Sequence, residues 1–154
     1  MPHLRTQIAA NRVAALAAIP EFSGAGKVAR GRASSIPQET LPALTVTWGE
    51  AGESSDRRAF AGATGEDGYD RRLSLSVLVH LRDEDAEDEF DRICELVEPV
   101  MEADVTLGGL AVELMLQSTR LYIDPRTGLP LGAGSLNYQI FYKTLATDPG
   151  MPAI

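Results

Sequence analysis

The chain has 154 residues, of which 44% are hydrophobic and 23% are charged, and a formal net charge of −8. This length corresponds to one ordinary domain, and this composition excludes a largely disordered chain, a collagen-like chain and a disulfide scaffold. Nearly all of the negative charge lies in residues 73–104, which hold eleven acidic and two basic side chains; such a segment repels phosphate, so we expect no sequence-specific binding of nucleic acid.

The amino-terminal region predicts one helix followed by two strands. Apolar side chains at helical spacing predict a helix over the first twenty residues, which Pro20 ends. The stripe comprises Leu4, Ile8, Ala15 and Ile19. A short edge strand is predicted over Lys27–Ala33 and a stronger strand over Leu41–Trp48, because apolar and polar residues alternate there. The apolar face of the stronger strand comprises Leu44, Val46 and Trp48.

Residues 49–70 have no periodic pattern, because five glycines alternate with charged and small side chains. We expect a mobile loop that becomes ordered only against a neighbouring molecule, since so little apolar area cannot offset the ordering entropy. Its candidate contact residues are Arg57, Arg58, Phe60 and Tyr69. Arginine binds carboxylates in a planar, bidentate way that suits subunit contacts. The alternative is an ordinary flexible loop without a role.

The carboxy-terminal half predicts one strand, an acidic amphipathic helix and a closing pair of strands. The first strand spans Arg71–Arg82, and its apolar face comprises Leu73, Leu75, Val77, Val79 and Leu81. Asp83 is predicted to cap the helix, and Pro99 to bend or loosen its last turn. The apolar stripe of the helix comprises Ala86, Phe90, Ile93, Cys94, Val97, Val100 and Met101. The closing strands are predicted over Leu110–Ile123 and Ser135–Leu145.

This order of elements predicts an α+β fold, with two helices packed on one face of a largely antiparallel sheet of four to five strands. We expect one domain over residues 1–154, since neither half beside the 49–70 segment is able to bury its sheet alone. No apolar run approaches the roughly 20 residues that span a bilayer, and a basic and apolar leader is lacking, so we expect neither a membrane partner nor secretion.

No residue pattern indicates catalysis, a metal or a cofactor. His3 and His80 have no ligand at a useful spacing, and Gly24–Lys27 lacks the other residues of a phosphate-binding loop. Cys94 lies on the apolar helix stripe, where burial makes a thiol inert. A carboxylate pair for glycoside chemistry stays open, because its separation depends on the fold. We therefore expect a non-enzymatic protein that acts through its surfaces.

Several short motifs, in their order along residues 4–149, resemble the phage tail terminator family, the minor tail protein U type. The first motif is a strand of Leu41, Pro42, Ala43, Leu44, Thr45 and Val46. The next are Arg72, Leu73, Leu75 and Val77 in an Arg-led strand, then Val97, Glu98 and Met101 at the end of an acidic helix. The last are a turn of Asp104, Thr106, Leu107, Gly108 and Gly109, and a closing segment of Tyr142, Thr144, Asp148 and Pro149.

This resemblance implies a structural tail protein of a phage or prophage, without a cofactor, located in the virion tail and in the host cytoplasm during assembly. Members of the family form hexameric rings that cap the tail tube, stop its polymerisation and join it to the head. The implied partners are other copies of this chain, the tail tube protein and the head–tail connector. Two alternatives stay open: a related head–tail completion or neck protein, and a small cytoplasmic α+β ligand-binding domain or enzyme, which requires a deep pocket.

Overall fold

The computed structural model describes residues 1–32, 36–82, 85–122 and 132–154. Over these residues the chain forms two α-helices and five strands, with short 3-10 turns at Pro20–Phe22 and Gln38–Thr40. In chain order the elements are α1 (Leu4–Ala17), β1 (Val28–Arg30), β2 (Ala43–Arg58), β3 (Gly68–His80), α2 (Ala86–Glu102), β4 (Glu113–Tyr122) and β5 (Ala133–Leu145).

The five strands form one sheet in the order β1-β2-β3-β5-β4. β1 pairs in parallel with β2, while the other three pairs of neighbouring strands are antiparallel. β5 lies between β3 and β4, so the chain passes from β3 through α2 to the outer strand before it returns to the interior of the sheet. The predicted α+β fold with a largely antiparallel sheet is confirmed.

Both helices pack on the same face of the sheet. The core on this face contains Leu73, Leu75, Val77 and Val79 of β3, each at most 1% exposed. From α1 the core receives Leu4, Ile8 and Leu16, and from α2 it receives Phe90, Ile93 and Val97. The two helices also contact each other. The alternation predicted for β3 and the stripe predicted for α2 therefore identify the buried faces, whereas the stripe predicted for α1 contains the half-buried Ala15 in place of the buried Leu16.

The prediction of a connection without regular structure over residues 49–70 is wrong. β2 continues to Arg58 and β3 begins at Gly68, and the two strands pair from Glu53 opposite Leu73 to Arg58 opposite Gly68. The register shifts between Trp48 and Glu53, where Gly52 has a φ of +64°. This bulge interrupts the alternation, and the outer hairpin exposes both faces, so no apolar pattern marks it.

The other element boundaries differ from the predictions by a few residues. β1 ends at Arg30, whereas the predicted strand continued to Ala33, which lies outside the described residues. The predicted cap Asp83 also lies outside them, and α2 begins at Ala86 after Asp85. The segment 123–131, between the predicted closing strands, is likewise outside the described part of the chain. α2 continues past Pro99 to Glu102.

Candidate functional site

The four predicted contact residues lie together at the outer end of the β2–β3 hairpin. Arg57 and Tyr69 are cross-strand neighbours, and the Arg57 guanidinium lies 5.7 Å from the centre of the Tyr69 ring. The guanidinium of Arg71 lies 5.2 Å from the same ring centre. Cation–π contacts of this kind stabilise an arrangement by about 0.5–1 kcal/mol at exposed sites. The hairpin therefore holds Tyr69 between two cationic side chains.

The two predicted pairing arginines have carboxylate partners within the same chain. Arg57 Nη2 lies 2.9 Å from Asp67 Oδ2, and Arg58 Nε lies 3.0 Å from Asp70 Oδ1. Arg58 also donates a hydrogen bond to the carbonyl oxygen of Ile154. These contacts join the two strands of the hairpin to each other and join the hairpin to the carboxy-terminal segment. A role of either arginine in binding a neighbour stays a prediction.

Phe60 is a highly exposed aromatic side chain at the hairpin end, with 78% of its surface accessible. Its φ of +58° lies in the left-handed region, which bulky residues rarely adopt. Two backbone hydrogen bonds nevertheless stabilise the turn. Ala61 N–H donates to the Glu66 carbonyl at 2.7 Å, and Ile154 N–H donates to the Ala61 carbonyl at 3.0 Å. The fold thus presents an aromatic ring to solvent on a hydrogen-bonded turn.

A buried carboxylate network joins α1 to the sheet, and no motif or spacing in the sequence indicates it. The Glu53 side chain is only 7% exposed, and its Oε2 lies 2.7 Å from Arg5 Nη1 and 3.4 Å from Arg71 Nη1. The Tyr142 hydroxyl donates to the same carboxylate. Burial, and then this hydrogen bond, raise the pKa of Tyr142 above its usual range. The network fixes the middle of the hairpin against α1.

The sheet face opposite the helices forms an open, shallow concavity of about 700 Å³. The side chains on its floor are mostly small and uncharged: Thr47, Ser74, Ser76, Ser118, Ser135, Asn137 and Gln139. Ser76 Oγ donates to Asn137 Oδ1 at 2.6 Å, and Asn137 Nδ2 donates to Ser118 Oγ at 3.1 Å. Three adjacent strands are therefore linked by side-chain hydrogen bonds across this concavity, which the charged side chains of Glu50, Arg72 and Arg120 also line.

A smaller concavity of about 490 Å³ lies at the end of the sheet remote from Phe60, and Thr45 and His80 line it. Arg32 Nε donates to Thr45 Oγ1 at 2.7 Å, and Thr45 Oγ1 lies 2.9 Å from His80 Nε2. The Thr45 hydroxyl is thus free to donate its own proton to a neutral imidazole. Burial, and then the charge of Arg32, lower the pKa of His80 from its ordinary value of 6.5.

We expect an NMR titration of His80 to give a midpoint below 6.5 in the folded protein. In the unfolded chain His80 takes up its proton at the ordinary pKa, so proton binding favours the unfolded state once the pH falls below about 6.5. His80 therefore lowers stability on the acid side and has no effect above neutral pH. Arg32→Ala removes the nearby charge and is expected to raise the midpoint; an unchanged midpoint would contradict this arrangement.

The other features that the sequence analysis considered for chemistry are a thiol, a metal site and a membrane span. Cys94 is 7% exposed in the core, as predicted, and burial raises the pKa of its thiol to about 11. Within the described ranges, no three side chains of His, Cys, Asp or Glu come together in a geometry that would hold a metal ion. Neither helix in this part of the chain combines the length and the hydropathy that crossing a membrane requires.

The similarity of this chain to known proteins is structural and weak. No protein-family model and no curated protein matches the chain. Among solved structures, the chain is similar to a component of the virion of the native gene transfer agent (GTA) particle. The alignment covers 92% of this chain and 92% of that chain, with 12% sequence identity and a TM-score of 0.38. A similarity at this level establishes no function for the chain.

Proposed function

We propose that this chain is a structural subunit of a phage or prophage tail. In this proposal several copies, six by resemblance to the tail terminator family, form a ring on the end of the tail tube. The ring stops polymerisation of the tube and offers a surface to the head–tail connector. The ordered motifs that carry this resemblance support the proposal. Contacts within the fold define the positions of three of these motifs.

The motif residues stabilise the fold at its turns and strand ends. Leu44 and Val46 of the first motif are fully buried in β2. In the turn after α2, Asp104 accepts hydrogen bonds from the Thr106 hydroxyl at 2.7 Å and the Gly108 amide at 2.8 Å. In the closing segment, Thr144 accepts a hydrogen bond from Arg71 at 3.0 Å. These motif residues therefore have structural roles in this fold.

The observation that carries the proposal is the separation of charge between the two sides of the molecule. The outer face of α2 is acidic, and its exposed carboxylates are Glu87, Asp88, Asp91, Glu95 and Glu102. The open sheet face, on the opposite side, is not acidic, because it carries charges of both signs, among them Glu50, Arg72 and Arg120. Six acidic faces packed together would repel one another, so a ring of this chain places α2 on its outside and leaves the sheet and its edges for contacts between proteins.

Electron microscopy of a phage deleted for this gene tests the proposal. A missing terminator leaves tube growth unchecked, so we expect headless tails of abnormal and variable length. Expression of the intact chain from a plasmid should restore tails of uniform length that are joined to heads, and gold-labelled antibody should mark the head-proximal end. Filled heads beside unjoined tails of normal length would contradict the terminator role and indicate head–tail completion. Normal particles would exclude both roles.

A further inference from the structure

The outer edge of β4, a strand of ten residues, has no partner strand in the described part of the chain. β4 lies at the end of the sheet and pairs only with β5 there. Free edges are usually protected by lysine or proline, and Glu113–Tyr122 contains neither. Large apolar side chains are instead exposed along it, with Met115 41% and Tyr122 51% accessible. This edge therefore offers apolar area to a partner strand, while its bulge and its charged side chains restrict which strand can pair with it.

A bulge in β4 brings its two charged side chains to the same side of the sheet. Glu113 and Arg120 are seven residues apart, so a regular strand would direct them to opposite faces. The register shifts between Leu116 and Ser118, which places Glu113 opposite Phe141 and Arg120 opposite Ser135. Phe141 and Ser135 are an even number of residues apart on β5, so both charges lie on the open face.

We propose that a second copy of this chain pairs its β4 with this β4, antiparallel, about a two-fold axis at the bulge. Glu113 of each copy then lies opposite Arg120 of the other copy, so the contact contains two identical ion pairs. The same register places Met115 opposite Ser118 of the second copy. Registers that bring Glu113 opposite Glu113, or Arg120 opposite Arg120, juxtapose like charges and are disfavoured.

This pairing joins two five-stranded sheets into one and keeps the helices of both copies on the same side. A two-fold contact uses the same patch on both copies and does not generate a ring by itself. The dimer is thus a state of the free chain, in which β4 is shielded from other strand edges until assembly. It goes beyond the proposed function and does not depend on it.

Sedimentation of the purified full chain over a micromolar to millimolar concentration series, with charge-reversed variants, tests this contact. The wild-type chain should form dimers. Glu113→Arg and Arg120→Glu each convert two attractive pairs into two repulsive ones, so each variant alone should dimerise about thirty-fold more weakly. An equal mixture of the two variants should regain the wild-type affinity, because all facing charges are again opposite. Glu50→Arg, an exposed reversal away from β4, is the matched control and should dimerise normally.

A wild-type chain that stays monomeric throughout the series would overturn the proposal. Single reversals that dimerise as tightly as the wild type would also overturn it. The same holds for a mixture that dimerises no more tightly than either variant alone, and for a larger particle whose stability neither reversal changes. Circular dichroism establishes that the variants are folded, which we expect because both positions are exposed. The measurement uses no tail, so its outcome is separate from the tail lengths that test the proposed function.

Discussion

Replacement of Phe90 by alanine is expected to lower the free energy of unfolding by about 2–5 kcal/mol, from lost burial and from the cavity left behind. Phe90 is 4% exposed in the core beneath α2, and its ring occupies the space that Gly134 leaves on β5. A Cβ at Gly134 would lie 2.2 Å from Phe90 Cε2. Urea unfolding, followed by circular dichroism, gives the change in free energy directly.

Two further variants control this measurement. Phe60→Ala removes the same side chain from a position that is 78% exposed and should change stability by no more than about 0.5 kcal/mol. Gly134→Ala should overpack the wild-type core at a cost of about 1–3 kcal/mol. The same change should cost much less in the Phe90→Ala background, because the clashing ring is gone. Equal unfolding midpoints for Phe90→Ala and the wild type would contradict the described packing of α2.

The parts of the fold that the sequence predicts are those with one buried and one solvated face. The apolar residues of α2 and β3 recur at the helical and strand periods because Ile93 and Val77 lie on faces that must be buried, while Asp91 and Arg72 lie on solvated parts of the same elements. The outer half of β2 gives no such signal, since its buried side chain is the charged Glu53 and the bulge at Gly52 breaks the period. A strand that is held by cross-strand pairing and a buried carboxylate leaves little trace in hydropathy.

The candidate site is predictable only in part, for a related reason. Arg57 is predicted because arginine binds carboxylates and Tyr69 because it is large in a segment without pattern, and the hairpin does bring the two together. The partners of Glu53 lie 48, 18 and 89 positions away in sequence. No local spacing indicates such a network, because it arises only when α1, the hairpin and β5 converge.

Replacement of Glu53 by alanine is expected to cost about 3–5 kcal/mol of stability, the range for breaking a buried ion pair by removing one partner. The loss leaves Arg71, whose side chain is 13% exposed, desolvated without a carboxylate. Arg5 is 29% exposed and regains part of its hydration, so the lower end of this range is expected. Glu53→Gln keeps the shape and one acceptor oxygen and should cost less than Glu53→Ala.

Asp56→Ala is the matched control, because it removes a carboxylate from the same strand. Asp56 is 75% exposed and lies 3.1 Å from Arg72, and exposed pairs of this kind contribute about 0–1 kcal/mol. Equal losses for the two alanine variants would show that the Glu53 network contributes no more than a surface pair. A large loss for Glu53→Ala alone, reduced when Arg71 is also changed to alanine, would instead show that the hairpin is fixed to α1 through this carboxylate. Phe60 would then be presented from a rigid support, as a contact surface at the hairpin end requires.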